Sequence, residues 1–171
     1  MFRYHYVFIT LAFATLASAQ NADVTSSTPN AEVFQDWQLS CAADADDGQD
    51  VCQLSQAAAV DGTDGSVFLL TISAGEDGRN SYAVITVPLG VYLAPGVELR
   101  VDNRRPFRVL YEICDAQDCY AGFEMSDQVL SAFRRGLDAR FRVWVGREQA
   151  VEFPVSLRGF SAAWRAYGEA L

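Results

Sequence analysis

Few residue types in this chain can do chemistry, and their spacing restricts what that chemistry is. The only histidine is His5 and lysine does not occur, which leaves four cysteines, at 41, 52, 114 and 119, beside carboxylates, serines and tyrosines. With no histidine beyond residue 5, the body of the chain has no Ser-His-Asp or Cys-His arrangement and no imidazole metal ligand. With no lysine there is neither a Schiff base nor a Walker phosphate loop. Ten residues separate Cys41 from Cys52 and four separate Cys114 from Cys119. This is neither zinc-knuckle spacing nor the Cys-x-x-Cys redox motif. The cysteines read as structural, and no catalytic residue, metal ligand or cofactor is expected.

Two carboxylate groupings remain. Glu112 and Glu124 lie in or near a hairpin and would suit a hydrolase if a cleft set them about 5–10 Å apart. Such a pair is ordinarily surface charge. Asp44 to Asp50 (DADDGQD) invites a calcium reading, but an EF-hand loop wants an acid where Gly48 stands and a glycine where Gln49 stands. A solvated acidic loop is the simpler reading, with a weak, irregular calcium site as the alternative.

The elements that must position these residues centre on Tyr111 to Phe123, YEICDAQDCYAGF. Two apolar segments flank the polar turn Asp115 to Asp118, as in an antiparallel hairpin, with Cys114 and Cys119 placed to face each other. Phe34 to Cys41 alternates with Trp37, Leu39 and Cys41 on one face, and Val51 to Ala58 puts Cys52, Leu54 and Gln56 on one side. Four cysteines allow three connectivities. Proximity and shared faces favour Cys41–Cys52 and Cys114–Cys119, each contributing roughly 2–3 kcal/mol.

Further strands are expected at Val67 to Ala74, apolar on both faces as a central strand would be, at Tyr82 to Val87, at Val97 to Asp102 and at Phe107 to Cys114. Short strands with turns between them indicate a mainly β, single-domain antiparallel β-sandwich with two short helices. Ser126 can N-cap the first, with Val129, Leu130, Phe133 and Leu137 on one side and Gly136 as terminator. The second is C-terminal, where Leu157, Phe160, Trp164, Tyr167 and Leu171 recur at helical spacing and Trp164 is expected in the core.

Met1 to Ala19 reads as a signal peptide. Arg3 supplies the positive start, Val7 to Ala17 the apolar run, and Ala17-Ser18-Ala19 a site for cleavage after Ala19. Residues 20–33 read as a flexible leader and 34–171 as the domain. No later stretch is apolar enough to span a membrane. Beyond the signal there are 12 Arg against 22 acids, a formal charge of −10, which argues against nucleic-acid binding. All 11 acids from Asp23 to Asp77 stand without an arginine among them, whereas residues 78–171 carry 12 Arg and 11 acids. Two solvated faces explain this most simply; a bipolar surface that orients a partner is the sharper reading.

Asp138 to Gly146 (DARFRVWVG) alternates without error, with Phe141, Val143 and Val145 on one face and Arg140, Arg142 and Trp144 on the other. Gln149 to Val155 returns beside it. Keeping both apolar sets inward favours Val143 opposite Phe153 and Val145 opposite Val151, with Trp144 near Glu152. Trp and Arg anchor interfaces, so Arg140, Arg142 and Trp144 are the expected partner-facing patch.

Phe34-x-Asp36-Trp37-x-x-x-Cys41, Pro88-Leu89-Gly90-Val91, the cysteines at 114 and 119, and Ser156-Leu157-x-Gly159-Phe160-x-x-Ala163 occur in this order. Together they resemble the invasion-associated locus B (IalB) family of exported bacterial proteins. Where other members often place glycine before the second paired cysteine, this chain has Asp118. The resemblance implies a compact β-rich domain, two disulfides and a place in the periplasm or at the cell surface. It supplies no catalytic residues. The expectation is a non-enzymatic module that binds an envelope or extracellular protein, with a carbohydrate-binding sandwich as the alternative.

Overall fold

The computed structural model describes residues 30–43, 48, 50–59, 67–75, 78 and 80–171. The expected signal peptide, most of the leader and most of the acidic loop lie outside the described residues. The leader, expected to run to residue 33, overlaps the first strand. β1 (Asn30–Phe34) turns through Gln35-Asp36 into β2 (Trp37–Ala43), with Phe34 paired to Trp37. Asn, Ala and Glu are poor strand formers, so composition hid a strand that is held by its partner.

β3 (Asp50–Ala59), β4 (Val67–Ala74) and β5 (Ser81–Pro88) continue the meander, and β6 (Val97–Val101) opens a second sheet. β7 (Phe107–Val109), β8 (Tyr111–Cys114) and β9 (Asp118–Glu124) follow, then α1 (Asp127–Arg135), β10 (Asp138–Trp144), β11 (Ala150–Ser156) and α2 (Phe160–Ala170). A seven-stranded sheet has the order β1-β2-β3-β4-β5-β9-β8 and a four-stranded sheet the order β11-β10-β6-β7, with all pairings among the described residues antiparallel. β4 lies mid-sheet, as its two apolar faces led one to expect.

The expected Phe107 to Cys114 strand is broken at Leu110. β7 pairs with β6 in one sheet and β8 with β9 in the other. Val109 is buried and Tyr111 lies opposite the buried Ala121, so the alternation stays in phase across Leu110 and cannot reveal the crossing; the slip comes just after, between Tyr111 and Ile113, and leaves Ile113 65% exposed.

The two sheets face each other across aromatic rings. Phe68 of β4 stacks on Phe153 of β11 at 4.0 Å, and Phe153 on Phe141 at 5.3 Å. A polar junction closes one end. The Gln56 amide donates to the Ser156 carbonyl at 2.9 Å while its oxygen accepts the Ser156 N–H at 2.7 Å. Trp37 Nε1 donates to the same carbonyl at 2.9 Å, and the Ser156 hydroxyl donates to Asp36 at 2.6 Å. Gln56, expected to lie beside Cys52 and Leu54, thus acts as a strand's worth of hydrogen bonding for the end of β11.

Ser126 caps α1, accepting the Val129 N–H at 3.5 Å, and Arg134 and Arg135 sit in its last turn. Gly136 ends the helix in extended backbone, where an added Cβ would meet Val101, Leu157 and the Ala132 carbonyl within 2.7–2.9 Å. Space, not a left-handed φ, requires glycine there. Leu137 is outside the helix and 71% exposed, because Asp102 accepts the N–H of Leu137 and Asp138 and turns the chain into β10.

α2 begins at Gly159, whose φ of 84° and lack of Cβ let it pass against the Phe34 carbonyl. The core-facing residues are Phe160, Ala163 and Tyr167. Phe160 meets Trp37 edge-on at 5.0 Å and Phe133 at 5.3 Å. Trp164, expected in the core, is only partly buried and lies against Phe160 and Tyr167, and Leu171 is exposed. The stripe drifts because helical spacing places Phe160 and Tyr167 on the inner line and Trp164 at its margin.

Phe160→Ala is expected to cost about 3–5 kcal/mol, and Trp164→Ala distinctly less, read from urea denaturation midpoints of the two variants. Equal losses would place Trp164 in the core after all.

Candidate functional site

Arg140, Arg142 and Trp144 do share the outer face of the four-stranded sheet, alternating with buried Ala139, Phe141 and Val143. The register differs by two residues from the expected one. Phe141 pairs with Phe153, Val143 with Val151, Arg142 with Glu152 and Trp144 with Ala150. A shift of two keeps every side chain on its face, so alternation cannot choose; the Phe141–Phe153 stack and the Arg142–Glu152 pair go with the observed register. Arg142 Nε donates to Glu152 at 2.7 Å and its guanidinium also reaches Glu98 at 3.5 Å. Arg142 is therefore neutralised within the sheet. Arg140 lies beside Arg100 across the ladder, leaving a positive pair outward.

Trp144 is joined to a segment that the sequence marked only as a family-like motif, not as part of this surface. The Tyr92 N–H donates to the Trp144 carbonyl at 2.6 Å, seating the loop after β5 beside the β10–β11 turn. On that loop Leu89 is 50% and Leu93 46% exposed, with Val145 of the turn at 43%. The sequence signals were the family-like motif Pro88-Leu89-Gly90-Val91 and the apolar Tyr92-Leu93 after it, of which only Pro88 belongs to a strand.

On the other sheet, β8 and β5 flank β9, and this order brings Glu112 and Glu124 to one open cleft of about 600 Å³ with Ser73, Ser81 and Tyr82. Tyr82 lies opposite Glu124 in the ladder and donates its hydroxyl to Glu112 at 2.5 Å. That hydrogen bond, with desolvation second, raises the Tyr82 pKa from 10.0 to about 12. The arrangement can accept hydrogen bonds at two carboxylates and offers an aromatic ring between them.

The cysteines are taken up in disulfides. Cys41 lies directly opposite Cys52, and Cys114 opposite Cys119, with Cα atoms 4.0 Å apart in each pair. The hairpin turn is tighter than expected, since Asp118 already belongs to β9. Asp115 accepts the N–H groups of Gln117 and Asp118 at 2.7 and 2.8 Å and the Tyr120 hydroxyl, which holds its carboxyl below the usual range. Among the described residues no three Cys, His, Asp or Glu side chains converge as metal ligands, and no helix is long and apolar enough to cross a membrane.

The family model for invasion associated locus B (IalB) protein matches residues 37–168. The chain belongs to the IalB family. Two invasion protein B homologs of Brucella abortus, from strains 2308 and 9-941, are each 28% identical over 165 residues, covering 93% of this chain and 94% of the relative. The crystal structure of invasion associated protein b from Bartonella henselae shares the fold, with a TM-score of 0.69 at 20% identity over 81% of this chain and 95% of that one. Two of the four IalB-like motifs, the first and the last, prove to be one contact. Asp36, Trp37, Ser156, Gly159 and Phe160 all meet at the junction between the sheets. These residues of the IalB domain hold its two sheets together.

Burial likewise raises the Tyr111 pKa to about 12. A tyrosine whose folded pKa exceeds its unfolded value of 10.0 contributes stability that is full below pH 10 and lost as pH rises toward 12. The stability difference between the parent and Tyr82→Phe is therefore expected to be flat below pH 10 and to shrink above it, measured by urea unfolding across alkaline pH. A difference that stays constant to pH 12 would show that the Glu112 bond does not control this titration.

Proposed function

We propose that this IalB-family chain is an exported, non-enzymatic envelope protein that binds another protein, in keeping with the invasion-related names of its relatives. The observation that carries the reading is the joined surface around Trp144. The Tyr92–Trp144 backbone bond sets exposed Leu89, Leu93 and Val145 beside an outward Arg100–Arg140 pair. Exposed apolar groups rimmed by arginine are the composition of a protein-binding surface. The partner-facing patch is accordingly Arg140, Trp144 and the loop at 89–93, with Arg142 holding the sheet beneath it. Export is supported by the apolar run from Val7 to Ala17 ahead of Ala17-Ser18-Ala19 and by the two disulfides, which persist in oxidising compartments. The absence of lysine and of any histidine beyond His5, and the engagement of Glu112 by Tyr82, support a non-catalytic role in the periplasm or at the cell surface.

Tagged protein incubated with envelope extract is expected to retain a protein partner that a Leu89→Ser/Leu93→Ser variant loses about tenfold or more, while its melting temperature stays near the parent's. Arg140→Ala is expected to weaken capture at low salt, with the difference from the parent shrinking as salt is raised. Undiminished capture by the double variant would remove this surface from consideration.

A further inference from the structure

The outward face of the seven-stranded sheet has a composition unlike the rest of the molecule. A fifth of the chain is charged, yet the outward positions of β2, β3, β4 and β5 among the described residues carry no charged side chain. The ladders place Ser40, Gln53, Ser73, Tyr82 and Glu124 in one row across five strands. Neighbouring strands are about 4.8 Å apart, so the row spans roughly 19 Å. It is lined by hydroxyl, amide and carboxylate groups and enters the cleft at Ser73.

At that end the sheet is built around a ring. Gly122 lies under Tyr82, since a Cβ there would collide with Tyr82 Cε1 and stand 2.7 Å from Glu112 Oε1. Glycine beneath and the Glu112 bond at the hydroxyl hold the ring down against the sheet, leaving its opposite face outward. Glu124, directly opposite Tyr82 and exposed, stands free to accept hydrogen bonds beside it.

We propose that this face is a binding track for an extended, neutral, β-linked polysaccharide, with Tyr82 as the stacking platform and Ser73 and Glu124 as hydroxyl-binding groups. The spacing of the row matches the repeat of a sugar in an extended chain, so successive units meet successive strands. Sugar C–H faces stack on an aromatic ring, and their hydroxyls donate to carboxylates and exchange hydrogen bonds with serine and glutamine. Among the described outward positions of β2 to β5 no arginine is present to hold an anionic polymer, and Glu112 and Glu124 repel one. This face is separate from the Trp144 surface, and neither reading depends on the other.

The test is a nuclear magnetic resonance titration of isotope-labelled protein, disulfides intact, with cellohexaose, chitohexaose, maltohexaose and a heparin hexasaccharide. A β-linked neutral hexamer is expected to shift the amides of Gln53, Ser73, Tyr82 and Gly122, and to bind more tightly than its disaccharide. Tyr82→Ala is expected to weaken it about tenfold, and Tyr82→Phe by less, since the ring remains while the Glu112 bond that holds it is lost. Should Tyr82→Ala fail to fold, Ser73→Arg, an outward substitution that blocks the row, is expected to give a similar loss. The proposal is overturned by no shift with either β-linked hexamer, by shifts away from the row, by equal binding of maltohexaose or heparin hexasaccharide, or by unchanged affinity in the variant that folds.

Discussion

The backbone of Ser156 is held by side chains from the opposite sheet, and the sandwich depends on that junction. Gln56 pairs with both its N–H and its carbonyl, Trp37 donates to the same carbonyl, and Asp36 accepts its hydroxyl. β11 is an edge strand, so without these partners its last peptide groups would lie unpaired where the sheets close. An unsatisfied buried backbone group costs about 1–3 kcal/mol. The same contacts seat Phe160 against Trp37 and let Gly159 pass under the Phe34 carbonyl. The placement of α2, the closure of the sandwich and the starting point of the first strand are therefore one structural decision.

With the sheets fixed in this way, their outer faces diverge. The four-stranded sheet turns arginines and glutamates outward, pairs Arg142 with Glu98 and Glu152, and leaves Arg100 and Arg140 side by side. In the seven-stranded sheet, β2 to β5 present uncharged side chains with a tyrosine laid over a glycine, and β8 and β9 add Glu112 and Glu124. One face carries charged pairs beside exposed apolar groups, the other hydroxyl and amide groups around Tyr82. The asymmetry of charge along the chain is only loosely related to this division, since strands from both halves of the sequence enter the large sheet.

Much of the local structure was legible. The Cys114–Cys119 hairpin, the Ser126 cap and the strand at Val97–Val101 follow from alternation and from capping chemistry. The misreadings have physical causes. The β10–β11 register slipped by two because a two-residue shift preserves every face. The strand from Phe107 to Cys114 was read as continuous because Val109 and Tyr111 stay in phase while the backbone changes sheets. Trp164 was placed in the core by its size and spacing, although Tyr167 and Phe160 occupy the line that faces Trp37. The candidate surfaces were legible only in fragments: Trp144 and Arg140 were singled out, but their neighbours at 89–93 were not, because a backbone bond between distant segments leaves no mark on either.

By itself the sequence determined the β class, the pairing of the cysteines, the strand faces and the absence of histidine and lysine chemistry, since each depends on residue type or on spacing within one segment. Tertiary structure alone decided that β9 lies between β5 and β8, which brings Glu112, Tyr82 and Glu124 to one cleft. It also decided which sheet each strand joins and which loop lies beside Trp144. Alternation carries the direction a side chain faces but not the identity of the strand beside it, and a site assembled across strands is a property of that order.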